Sequence, residues 1–156
     1  MSMTSTWRAE APLPGKGAPI HVLATTLEGT REALAAATTL AGATDSPVYV
    51  IARTDIPEGV SRVPATRAAQ ALAGDIRSLP EAASPAVDVL AVVSHQPTDL
   101  VPLLPPRAVV FIGGHSGRWW PSAAQRTAHA FTRLGCRVIF VHAQPPETPS
   151  KGIADS

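Results

Sequence analysis

The chain has 156 residues, of which 45% are hydrophobic and only 4% aromatic, so we expect one domain with a core of Ala, Val, Leu and Ile. The 13 Lys and Arg nearly balance the 12 Asp and Glu and look scattered, which excludes a basic face for DNA or RNA. A single cysteine, no secretory leader and no apolar run near twenty residues predict a cytoplasmic protein without a membrane segment.

The two ends of the chain differ in composition from its middle. Residues 1–18 and 144–156 mix Pro, Gly, Ser and isolated charges without a hydrophobic period, which predicts mobile tails. The domain is therefore expected over residues 19–143. Trp7 in the first tail would be available for docking on the domain or on a partner.

Apolar runs of strand length alternate with Ala-rich stretches of helix length between the tails. This order is typical of repeated βαβ units, and runs that are almost continuously apolar indicate strands buried on both faces. We therefore predict an α/β fold with an open five-stranded parallel sheet and helices on both faces. The predicted strands are 19–25, 47–53, 87–94, 108–114 and 137–143.

The stretches between the first three strands predict two helices. The first is expected from Gly29 to Ala41, with Gly42 as its stop, because Gly commonly follows the last helical residue. The second is expected from Ala65 to Leu79, after a loop at 54–63.

The later stretches predict one short and one longer helix. Residues 97–104 allow only about two turns, because Pro102 cannot lie deep inside a helix. The last helix is expected to begin near Ser122, in a capping box with Gln125, and to end at Gly135. Its predicted buried stripe is Ala123, Thr127, Ala130, Phe131 and Leu134.

Two strand-end loops are candidate ligand sites, because open parallel sheets bind ligands beyond the carboxyl ends of their strands. Strand one ends in Thr25 and Thr26, and strand four runs into Gly113-Gly114-His115-Ser116-Gly117. Small residues before a helix let backbone N–H groups approach an anion. Glycine clusters also occur simply because a turn needs positive φ, so the motif alone leaves both interpretations open.

Two segments, HVLATTLEGTREALAAATTLA and FIGGHSGRWWPSAAQRTAHAFTRLGCRVIFV, resemble the universal stress protein family. That family has V-A-x-D-x-S near the end of strand one, and G-x-x-G after strand four followed by a Gly-Ser or Gly-Thr pair. The resemblance extends over about residues 19–143 and implies the strand order 3-2-1-4-5, with both loops at one rim. It also implies a signalling or stress-response protein, commonly dimeric, that binds ATP or no nucleotide.

The chain departs from the family pattern at several ligand positions. Thr25 replaces the strand-one Asp, Arg53 replaces an apolar residue at the end of strand two, and Gln125 with Ala124 replaces the Gly-Ser pair. We therefore predict a weakened adenine-nucleotide or anion site. Its residues would be Thr25, Thr26, Arg53, Gly114, Gly117, Ser122 and Gln125.

Three functions remain open at this stage. The preferred one is a non-catalytic sensing or scaffolding domain, and the second is an ATP-binding member with slow or no hydrolysis. The third is a small serine hydrolase, since Gly114–Arg118 partly matches a nucleophile elbow around Ser116. The histidines share no ligand spacing, so no metal is expected.

Two partner surfaces are also predicted. The last strand, RVIFVHA, would be an apolar edge suited to a homodimer. The pair Trp119-Trp120 would cover the cleft, contact a protein partner, or simply pack over the end of the sheet.

Overall fold

The computed structural model describes residues 17–115 and 121–143. They form a single parallel sheet with the strand order β3-β2-β1-β4-β5, which confirms the predicted order. Its strands are β1 (Ile20–Leu23), β2 (Val48–Asp55), β3 (Val87–Ser94), β4 (Val109–Gly114) and β5 (Arg137–His142).

Strand β1 lies at the centre of the sheet, at the point where the strand order reverses. Leu23 is in register with Ile51 of β2 on one side and with Ile112 of β4 on the other. The residues that follow β1 and β4 therefore leave the sheet next to each other. This is the place where open α/β sheets bind ligands.

Helix α1 (Leu27–Thr44) extends beyond both predicted limits, whereas helix α2 (Arg62–Arg77) begins three residues before its predicted start and ends two residues before its predicted end. The prediction that Gly42 ends α1 is wrong, because Asp45 takes the left-handed conformation instead, at φ 53°, and its N–H caps Ala41 O. Helix α2 begins earlier than predicted because the Ser61 side chain accepts a hydrogen bond from Val63 N.

Helix α3 (Ala123–Arg133) begins at Ser122 as predicted, but its buried stripe is different. Ala128 and Phe131 are buried, whereas Ala123 is exposed and Leu134 is 55% exposed. The prediction was therefore correct for Phe131 and wrong for Ala123 and Leu134. Leu134 is exposed because it follows the last helical residue and no longer continues the face that packs on the sheet.

Two apolar clusters fill the two sides of the sheet. On one side, α1 and α2 pack on it through residues such as Leu34 and Ile76. On the other, α3 packs through Phe131, together with Leu100 of the 3₁₀ helix Pro97–Leu103. A shorter 3₁₀ turn, Pro80–Ala82, precedes β3. Among the described residues, no helix has the length and apolarity required to cross a bilayer.

Candidate functional site

The ends of β1 and β4 are joined directly by Thr25. Its Oγ1 donates a hydrogen bond of 2.6 Å to the carbonyl oxygen of Gly113, which is 88 positions later in the sequence. The two loops predicted to form a site therefore do meet at the same rim. A ligand would have to compete for the Thr25 hydroxyl, because its proton is already donated to Gly113 O at the switch point.

Glycines allow α1 to lie unusually close to β4. A Cβ added to Gly113 would lie 1.9 Å from Gly29 O, and one added to Gly29 would lie 2.5 Å from Gly113 O. No side chain fits at either position without moving the backbone. Gly113 therefore has a packing role that the sequence motif alone did not reveal.

Gly114 forms a similar close contact on the other face of the sheet. A Cβ at Gly114 would lie 2.5 Å from the Cβ of Ala124 and 3.6 Å from a ring carbon of Phe140. The first turn of α3 is thus held against the end of β4. This brings Ser122 and Gln125, both predicted ligand contacts, to the rim.

The side chains at the start of α3 bind each other. Ser122 Oγ accepts a hydrogen bond of 3.1 Å from Gln125 N, and Gln125 Oε1 accepts one of 2.8 Å from Ser122 N. This is the capping box expected from the sequence. The bond from Gln125 N uses a lone pair of the Ser122 hydroxyl oxygen and not the hydroxyl proton that a phosphate would accept.

The start of α1 is capped in a comparable way. Thr26 Oγ1 accepts a hydrogen bond of 3.0 Å from Gly29 N. Thr30 Oγ1 donates to Thr26 O at 2.7 Å and accepts from Thr25 N at 3.0 Å. Thr26 therefore functions as the N-cap of α1, and Thr30, which the sequence analysis did not select, is part of the same buried network.

Arg53 lies at the carboxyl edge of the sheet, where its side chain is hydrogen-bonded to the end of β3. Its Nε donates to Ser94 Oγ at 2.5 Å, its Nη2 donates to Ser94 O at 3.1 Å, and Nη2 also pairs with Asp55. The Arg53 side chain is only 9% exposed. Since β2 and β4 are separated by β1, the backbone of Arg53 lies about 10 Å from the backbone of Gly114 across the sheet.

The predicted site residues therefore separate into three groups. Thr25, Thr26, Gly114, Ser122 and Gln125 surround the β1–β4 rim, while Arg53 lies at the β2–β3 side of the same edge. The remaining predicted positions, Gly117, Ser116, Trp119 and Trp120, lie outside the described residues. Asp55 and Ser94 were missed, although their positions at strand ends were visible in the sequence.

One further feature of the surface was not predicted. A groove of about 260 Å³ lies between α3 and β5. Its lining residues are Gln125, Ala128, His129, Thr132, Val138, Phe140 and His142. Within residues 17–115 and 121–143, no group of three or more His, Cys, Asp or Glu is placed to hold a metal ion.

His21 of β1 is completely buried and stacks on Tyr49, with ring centroids 5.9 Å apart. Burial lowers its pKa to about 4, although a hydrogen bond with the Val109 backbone acts in the opposite direction. At neutral pH the imidazole is therefore uncharged. A neutral side chain among apolar neighbours serves the core rather than a ligand.

Comparison with known proteins identifies the fold. No family model and no curated protein matches the sequence. A universal stress protein from Archaeoglobus fulgidus superposes with a TM-score of 0.50 at 17% identity, over 83% of this chain and 95% of that one. A universal stress protein in complex with cAMP superposes with a TM-score of 0.54 at 14% identity, over 80% and 98% of the two chains. The protein therefore has the universal stress protein fold, as its two sequence motifs had indicated.

Proposed function

We propose that this protein is a universal-stress-protein-like domain that senses or scaffolds without catalysis, and whose rim binds adenine nucleotides or related anions only weakly. The observation that carries the proposal is that Thr25, at the position of the family's strand-one Asp, donates its hydroxyl proton to Gly113 O. A ligand that needs this donor must compete with that bond. Ser122 Oγ only accepts a hydrogen bond from Gln125 N, so that bond does not use the hydroxyl proton an anion would accept.

The expected affinity follows from the number of altered contacts. Three family contacts are changed, at Thr25, Arg53 and Gln125, and a hydrogen bond contributes about 1 kcal/mol or somewhat more. The combined loss of about 3–4 kcal/mol would weaken a micromolar site to about 0.1–1 mM. Such a site would be half-occupied only at nucleotide concentrations of about 0.1–1 mM, which suits a weak sensor or a scaffold.

A true nucleotide-binding protein is the second candidate, and the cAMP complex of a protein with this fold favours it. The test is calorimetry of the full chain with ATP and Mg²⁺ and separately with cAMP, together with native mass spectrometry of freshly purified protein. Dissociation constants near or above 0.1 mM and no retained nucleotide support the weak site. Low-micromolar binding or co-purified nucleotide would establish the second candidate instead, and phosphate release would show catalysis.

Restoring the missing carboxylate tests whether the rim is the site. Thr25→Asp removes the hydroxyl donor to Gly113 O and places a negative charge beside that carbonyl, so the side chain should turn towards the rim. We expect nucleotide affinity to rise about tenfold, with a loss of stability of about 1–2 kcal/mol. Thr39→Asp, an exposed position on α1 with the same change of charge, should leave binding unchanged. If the two variants bind nucleotide with equal affinity, the rim is not the binding site.

The partner and compartment remain predictions. A homodimer through β5 is supported by the position of this strand at the edge of the sheet and by Ile139, which is 42% exposed. A cytoplasmic location is supported by the composition described above. Sedimentation velocity across a concentration series and localisation of a tagged full-length chain would test these two points.

A further inference from the structure

The groove of about 260 Å³ between α3 and β5 lies beside the edge of the sheet. Its floor is formed by alternate residues of β5, namely Val138, Phe140 and His142, because alternate residues of a strand point to the same face. The apolar side chains of Val138 and Phe140 are only half-buried. Within the described residues β5 pairs only with β4, so the floor of the groove continues to an open edge.

The wall of the groove is a regular stripe on α3. It consists of Gln125, Ala128, His129 and Thr132, which follow each other at intervals of three, one and three residues. This is the spacing of residues on one face of a helix. A face of this kind, with a small residue at its middle, is suited to packing against another helix.

The homodimer proposed above fixes where a second copy lies. Arg137 N and Ala143 N donate towards β4, and the hydrogen-bonding direction alternates along a strand, so the backbone groups of Phe140 face the open edge. Two β5 strands related by a two-fold axis at Phe140 pair antiparallel, with Val138 of one copy opposite His142 of the other. Residues directly opposite each other point to the same side of a sheet. The grooves of the two copies therefore become continuous.

This pairing brings the two α3 helices to packing distance. Helix α3 lies over both β4 and β5, since Ala124 lies against Gly114 and Ala128 lines the groove with Phe140. A helix midway between β4 and β5 in each copy is separated from its equivalent by two strand spacings, about 10 Å. Packed helices lie about 8–10 Å apart. The twist over two strands, about 40–50°, also matches the commonest crossing angle of packed helices in size and hand.

The charged residues of α3 do not oppose this contact. They are Arg126 and Arg133, and both are exposed. At 100° per residue they lie about a quarter turn from the stripe, on the side of α3 that faces away from the sheet. Dimerisation therefore leaves both guanidinium groups in water.

We propose that α3 of a second copy fills the groove, so that the homodimer is held by an antiparallel pair of α3 helices as well as by β5. Gln125 packs beside Thr132 of the second copy, and His129 lies close to its own equivalent at the axis. The inference rests on the homodimer of the proposed function and gives it a second contact surface. Because Gln125 also caps α3 at the rim, this surface reaches the candidate ligand site.

Cysteine cross-linking of the full chain tests the helix pair. His129→Cys is made in a Cys136→Ala background, which removes the single native thiol, and is oxidised with copper phenanthroline. Facing Cα atoms of helices about 10 Å apart lie about 5–6 Å from each other, within the range of a disulfide. We expect a covalent dimer as the main product on a non-reducing gel. Ala123→Cys in the same background, at an exposed position of α3 outside the stripe, should stay monomeric.

A matched pair of charge variants measures the contribution of the helix contact. His129→Glu places two carboxylates close together at the axis and should raise the dissociation constant of the dimer about tenfold or more in sedimentation velocity. Ala123→Glu makes the same change of charge on the exposed side of α3. It should leave the dissociation constant within about twofold of the parent.

The outcomes separate this inference from the homodimer itself. A chain that stays monomeric up to high micromolar concentration contradicts both. A dimer in which His129→Cys cross-links no better than Ala123→Cys, or in which the two Glu variants dissociate alike, retains the β5 contact but overturns the helix pair and leaves the groove to another occupant. Nucleotide affinity at the rim is a separate measurement, so a failure of the weak site does not decide either point.

Discussion

Acidification should destabilise this protein through His21. The imidazole has a pKa of about 4 in the folded chain, because burial disfavours its charged form, against an ordinary value of 6.5. Above pH 6.5 both states are uncharged at this residue and it adds no pH dependence. As the pH falls from 6.5 to 4, the unfolded chain takes up a proton that the folded chain does not, so stability falls.

The size of the effect follows from the two pKa values. They differ by about 2.5, and each pH unit over that interval contributes about 1.4 kcal/mol, which gives a loss of about 3 kcal/mol between pH 6.5 and pH 4. Below pH 4 the contribution is level again. A domain with a total stability of about 5–15 kcal/mol would lose a substantial fraction of it.

Urea unfolding at a series of pH values, followed by circular dichroism, measures this loss. The wild type is compared with His21→Leu, which cannot titrate, and with His129→Gln, which removes an exposed histidine. Other groups titrate alike in all three proteins. The wild type and His129→Gln should lose about 3 kcal/mol more than His21→Leu between pH 6.5 and 4. If the stability of all three proteins falls equally between pH 6.5 and 4, burial of His21 is not the cause of the loss.

The remaining predictions concern the rim and the core. Gly113→Ala should cost several kcal/mol of stability or prevent folding, because its Cβ would collide with α1. Gly74→Ala, which lies in open space on α2, should stabilise the protein by about 0.5–1 kcal/mol. Thermal unfolding of the two variants and the wild type measures both effects. Thr25→Val should cost about 1 kcal/mol in urea unfolding, and Thr25→Ser should restore most of it. Burial raises the pKa of the Cys136 thiol, so iodoacetamide should label it far more slowly in the folded protein than in urea; equal rates would contradict this.

The strand pattern was predictable because burial on both faces leaves a strong mark in the sequence. Strand β3 was predicted with its observed limits, and the Ser122–Gln125 capping box was found where expected. Helix ends were less predictable, since they depend on single residues such as Asp45 in a left-handed conformation. Sequence pattern does not distinguish such an Asp from one inside a helix.

The neighbouring position of the two loops was predictable from the sequence, whereas the hydrogen bonds of their side chains were not. The sequence placed the loops after β1 and β4 together, and the Thr25–Gly113 hydrogen bond bears this out. The engagement of Arg53 by Ser94 and Asp55 depends on β2 and β3 being neighbours. Contacts between residues far apart in the sequence are set by tertiary packing, so a motif names the residues without showing what they are bonded to.

The glycines of β4 show why that limit matters for function. A glycine after a strand suits both an anion and the close approach of a helix, and at Gly113 the second requirement alone is enough to explain it. At Gly114 the neighbouring Ala124 again requires a small residue. Because packing requires both glycines to be small, their presence carries little information about a phosphate. The evidence for a ligand at this rim must therefore come from binding, and a Thr25→Asp variant that stays folded and binds nucleotide no better than Thr39→Asp would contradict a site there.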